Sequence, residues 1–184
     1  MHCAMARPLA LRIALVLAAL SSLAALAASS AVGAPQRRTV ALSSLEGGVL
    51  DDLNALRAQH HLAPLRLSAQ LTAAARSHTV DMAAQGYFEH ESADGTAFWK
   101  RIERFYPSHR YSSWSVGENL LWVSPDTDAQ SALQDWLDSP KHRANMLKPG
   151  WRDIGVAAVH VTAAPGDFEG QDVTILTTDF GARR

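Results

Sequence analysis

The stretch WLDSPKHRANML, Trp136 to Leu147, places a helix-like ending, a proline and a histidine in quick succession. Upstream, Asp126, Thr127 and Asp128 offer caps, and Ala129, Leu133, Trp136 and Leu137 recur at helical spacing until Pro140 ends the pattern. A fourth helix therefore delivers the segment that carries His142. Taken alone, that histidine reads equally as a solvated loop residue, as a cap donating to exposed helix carbonyls, or as a ligand held in a cleft.

Outward from this stretch the pattern is helical toward the N-terminus and extended toward the C-terminus. Val49, Leu50, Leu53 and Leu56 recur at helical spacing and the run stops before Pro64, because a residue ahead of proline is pushed out of the helical region. Ser68 caps a second helix, with Leu71, Ala74, Ala75, His78 and Met82 on one face and Gly86 as its stop. After the Asp94-Gly95 turn, Thr96 reads as the cap of a third, with Phe98, Ile102 and Phe105 on its face. IGVAAVHV (154–161) and VTILTTDFG (173–181) are rich in β-branched residues and flank a turn-forming APGDFEGQD, so they predict an antiparallel pair. ENLLWV (118–123) adds a third strand. The result is an α+β domain with helices on both sides of a small antiparallel sheet.

Residues 1–34 have basic residues, then a Leu/Ala/Ile/Val run, then small residues ending Val32-Gly33-Ala34, the pattern of a secretory signal peptide. The run from Ile13 to Leu20 is short for a membrane span, so the mature chain is expected to have none. Cleavage after Ala34 fits best, with Ala28 or Ala31 as alternatives. Residues 35–48 are polar and non-periodic and read as a flexible lead-in; residues 49–184 form one domain. Cys3, the single cysteine, falls in the removed segment, so the exported protein is held by packing without disulfides. Its charge is mildly acidic, with no Lys/Arg block to track a phosphate backbone; nucleic acid is excluded as a partner class.

The chain has no H-E-x-x-H, no G-x-S-x-G, no glycine-rich phosphate loop and no cysteine nucleophile in the mature part. What remains is His90 in YFEHES, Glu118 in VGENLL and His142 in SPKHRAN, all read as lying on turns beside predicted elements. The ordered set NALRAQHHLAPL, AARSHTVDMAAQGYFEH, DGTAFWKRI, VGENLLW, WLDSPKHRANML and WRDIGVAAV resembles the bacterial branch of the CAP superfamily (cysteine-rich secretory proteins, antigen 5 and pathogenesis-related proteins; the SCP domain). The resemblance runs from Val49 to Phe180, and G-E-N-L followed by S-P-x-H-R-A-N is its most specific part.

That resemblance implies a three-layer α-β-α sandwich with a central cleft faced by two histidines and two acidic residues. His90, Glu118 and His142 match three of these positions. The fourth falls at Ser139, with Asp138 beside it as a substitute. His90 and His142 would be the ligands of a divalent cation, zinc before magnesium or calcium, with Glu118 holding a bound water. The competing role for all three is a hydrogen-bonded network that fixes the fold. His78, on an apolar helix face, reads as a packed core histidine, and Trp114 as a residue on the cleft rim. Three functions follow: a secreted binding module for a small ligand, lipid or cell-envelope component; a metal-dependent hydrolase with Glu118 as general base; and a structural or interaction protein.

Overall fold

The computed structural model describes residues 42–184; the leader at 1–34 and the first part of the lead-in lie outside them. Helix α1 spans Ser44–Gln59, so the lead-in assigned to 35–48 gives way to helix before its end. Ser43 Oγ accepts from the Glu46 amide and Glu46 returns a carboxylate to the Ser43 amide, a reciprocal cap that starts the helix five residues before its apolar face. Gly47 and Gly48 hide this start from a search for periodicity. Glu46 is buried, and its other oxygen accepts from Arg76 and from the Ala158 amide, covering a backbone donor of the strand that holds Ala158.

A short strand β1, Arg66–Leu67, leads into α2, Ala69–Gln85, which is capped by Ser68 and ended by Gly86 in the left-handed conformation. Then follow α3 (Phe98–Phe105), β2 (Trp114–Val123), α4 (Ala129–Asp138), α5 (Pro140–Met146), β3 (Asp153–Val161) and β4 (Val173–Arg183). Asp128 caps α4 as its position predicts. Thr96 does not cap α3: the N-cap is Ala97, and the Thr96 amide instead donates to Asp94 in the preceding turn.

The sheet order is β1-β3-β4-β2. The three long strands are antiparallel, with β3 and β4 the predicted hairpin pair, while β1 adds a two-residue parallel edge that the sequence reading lacks. Alternation along the strands divides the two faces. Ile154, Val156, Leu176 and Phe180 pack with Val49, Leu53, Leu133, Trp136 and Met146 of α1, α4 and α5. On the opposite face Ile175 and Val173 pack with Met82 and Ala83 of α2, and Leu71 and Ala74 with Ile102 and Tyr106 toward α3. Helices therefore cover both faces, and the domain is the expected α-β-α sandwich.

Two contacts fix the layers near the site. A Cβ on Gly155 would stand 2.1 Å from the Leu71 backbone carbon, so the start of α2 rests directly on β3. Arg57, fully buried on α1, donates to the Met146 and Lys148 carbonyls at the end of α5. It satisfies acceptors that a helix end leaves open and anchors the helix carrying His142.

Candidate functional site

Strand β2 lies at the edge of the sheet, and alternation sends its neighbouring side chains to opposite faces. Glu118 points toward α2 and α3; Asn119 points toward α5, accepting from Asn145 at 2.9 Å and donating to the His142 carbonyl at 3.2 Å. Asn145 also donates to the Glu118 carbonyl. Gly117 is where α5 comes closest, since a Cβ there would lie 2.7 Å from Asn145 Oδ1 and 2.8 Å from the Trp151 ring. These amide contacts hold α5 against the strand and set where its first turn presents His142.

A cleft of about 430 Å³ opens along this edge, and its walls include His90, Phe98, Glu118, Lys141 and His142. Three of the residues singled out from the sequence thus share one cleft. Glu118 is not on a turn, however. It sits in the middle of β2 with its side chain fully buried, paired across the sheet with Asp179 of β4. Asp138 and Ser139 are not among the residues lining the cleft: Asp138 is exposed and accepts from Gln134 on its own helix, and Ser139 is the junction of α4 and α5. Proline at the first position of α5 turns the chain sharply there, leaving Ser139 behind the turn that carries His142. Trp114 also lies away from the cleft, donating its indole N–H to the Tyr106 carbonyl.

Both oxygens of Glu118 are engaged. Oε1 meets His90 Nδ1 at 2.8 Å and Oε2 accepts from Arg101 Nη2 at 2.5 Å. Arg101, on α3 and only 6% exposed in its side chain, also donates to the His90 carbonyl and to Ser92 Oγ, so it binds the strand and the His90 loop together. His90 is half exposed and stands beside the Phe98 ring, with centroids 6.0 Å apart. The hydrogen bond to Glu118 raises the His90 imidazole above its ordinary value; burial lowers that of His142, helped by the nearby His90 charge. One imidazole is therefore disposed to be a cation and the other to stay neutral. His78, behind Arg101, is a packed core histidine bonded to the Glu89 carbonyl and kept neutral chiefly by burial.

Residues 50–174 match the family model described as "CAP: Cysteine-rich secretory protein family", more than half of the chain. The chain belongs to the CAP family. Among CAP relatives, "Uncharacterized protein YkwD" of Bacillus subtilis is 29% identical over 118 residues, 64% of this chain and 44% of that protein. The chain thus spans less than half the length of this relative. An extracellular protein containing a SCP domain from Bacillus anthracis matches with a TM-score of 0.56 at 25% identity, covering 77% of this chain and 44% of that one. An outer surface protein from Borrelia burgdorferi matches with a TM-score of 0.64 at 19% identity, covering 79% of this chain and 97% of that one, and shares the fold.

Arg101 and Asp179 are the parts of this CAP site that the sequence reading missed. Arg101 did leave a signal in FWKRIERF, since it is in phase with Phe98, Ile102 and Phe105 on the apolar face of its helix. Asp179 also left a signal: it is the one acid in a β-branched strand, in phase with the buried positions Ile175 and Thr177. Among the described residues no group of three or more His, Cys, Asp or Glu side chains forms a metal-binding cluster.

Proposed function

We propose that this CAP domain is an exported binding module whose cleft takes a small envelope ligand, a lipid or lipid-like molecule with an anionic or acceptor head. One observation carries the reading: the Glu118 side chain is fully buried with each carboxylate oxygen engaged, by His90 and by Arg101, which supports a role in orienting His90 over one in activating a solvent water. With Nδ1 turned to Glu118, His90 has Nε2 left for a ligand. Lys141 adds a positive charge on the cleft wall, and Phe98 an apolar surface for the remainder of the molecule. Export is supported by the leader at 1–34 and by extracellular and surface relatives. No helix among the described residues is long and apolar enough to cross a membrane.

The test is native mass spectrometry of the protein purified from its own envelope. A co-purifying molecule is expected in the wild type, reduced in Phe98→Ser and Lys141→Ala; a wild type that carries nothing and binds no envelope lipid extract overturns the reading.

Two imidazoles lining one cleft favour a second reading, a divalent cation such as zinc with His90 and His142 as protein ligands. Zinc would then raise the melting temperature at pH 8 and lose that effect near pH 5, because ligating imidazoles must be neutral. His90→Ala and His142→Ala would each abolish the increment. Calorimetric titration showing no binding at pH 8 removes this reading.

A further inference from the structure

Asp179 is the most deeply buried acid of the site, fully inaccessible, and no donor reaches either of its oxygens. It lies directly across β2 and β4 from Glu118, so the two carboxyls share one face of the sheet. Its other cross-strand neighbour is Gly155, which brings no side chain. Around the Glu118–Asp179 pair the titratable and charged groups are His78 of α2, Arg101 of α3 and His90 of the loop between them, with Asp153 farther along the same face accepting from Tyr106. His78 is uncharged and bonded to the Glu89 carbonyl, and Arg101 gives its donors to Glu118, the His90 carbonyl and Ser92. Arg101 and His90 thus both serve Glu118, and neither reaches Asp179.

We propose that Asp179 is a positioning residue of the cleft: it carries a proton at neutral pH and donates it to Glu118, which is then the only anion of the pair, held by Asp179, Arg101 and His90. The assignment of proton to acid follows from the donors. Glu118 receives Arg101 and His90, which favour its ionised form, whereas an ionised Asp179 would be buried, unpaired and opposite a like charge. Burial first and then the Glu118 charge push the Asp179 carboxyl well above the usual carboxylate range, against an opposing pull from Arg101. A neutral carboxylic acid in an apolar site is a hydrogen-bond donor, and here it fixes the rotamer of the group that orients His90. The functional meaning rests on the binding reading, but the experiment reads Asp179 itself, so either can fail alone.

The test is isotope-edited infrared spectroscopy of the full protein with carboxyl-labelled aspartate, together with Asp179→Asn, whose amide keeps a donor toward Glu118. At pH 7 the wild type should show the carbonyl stretch of a protonated carboxylic acid, and Asp179→Asn should lack it. Between pH 5 and pH 7 the unfolding constant of the wild type should rise relative to that of Asp179→Asn by about tenfold per pH unit, because the folded state holds one proton that the unfolded chain releases. Absence of the protonated band at pH 7, or parallel pH curves for the two proteins, overturns the proposal. If Asp179→Asn does not fold, the labelled wild type decides: a protonated band that persists from pH 5 to pH 7 supports the assignment, and one that disappears near pH 4 refutes it.

Discussion

Replacing Arg101 with methionine removes the guanidinium that pairs with the buried Glu118 carboxylate. Methionine keeps most of the apolar stem of the side chain, so the loss is chiefly the charge and its donors. Three hydrogen bonds disappear, one of them to a carboxylate oxygen at 2.5 Å that stays buried without a partner. Breaking a buried ion pair from one side typically costs about 3–5 kcal/mol, because the remaining charge is uncompensated. Exposure cannot relieve it, since the Glu118 side chain is fully covered. Urea unfolding at pH 7 should therefore show Arg101→Met destabilised by about 3–5 kcal/mol. Arg101→Met combined with Glu118→Gln should cost less than the sum of the two single changes, by at least about 1 kcal/mol, because the double variant no longer buries an unpaired anion. A single-variant loss below about 1 kcal/mol with additive behaviour in the double would refute the view that Arg101 compensates a buried charge.

Other measurements probe other levels of the structure. Trp136 is 1% exposed and donates its indole N–H to the Leu120 carbonyl, so Trp136→Ala should lower stability by about 3–5 kcal/mol in the same unfolding assay. In an NMR titration of the ring protons, His90 should titrate above about 6.5 and His142 below it, and Glu118→Gln should bring His90 down toward the ordinary value. The signs on stability are opposite. The contribution of His90 is fully present below its unfolded value and fades as pH rises through the raised folded one; that of His142 is present above the unfolded value and is lost as pH falls through the lowered folded one. The exported protein should begin near Pro35 and show no mass change on reduction, checked by intact mass spectrometry.

Local signals written in consecutive residues were enough to establish most of the helices. Ser68, Gly86 and Asp128 each act within one turn of their own backbone, and the apolar faces of α2 and α4 need only their own spacing to be recognised. The strand-rich C-terminus and the ordered G-E-N-L and S-P-x-H-R-A-N segments were likewise legible, and with them the membership of His90, Glu118 and His142 in one set. Even the start of α1 was present as Ser43 followed by Glu46, though two glycines broke the periodicity that would have drawn attention to it.

Tertiary structure alone decided how that set is arranged. The sequence places Glu118 and Asp179 sixty-one positions apart; only the register of β2 against β4 makes them opposite neighbours. Arg101 stands in phase with Phe98, Ile102 and Phe105, but only the packing of α3 over that face brings its guanidinium to the buried Glu118 carboxylate. The sharp turn at Pro140, anchored by Arg57 and by Asn119 with Asn145, carries His142 to the cleft and leaves Asp138 and Ser139 outside it. The physical reason is common to all three. Charge, solvation and hydrogen bonding act over a few ångströms in space, and separation along the chain says nothing of that distance until the sheet and its covering helices are assembled.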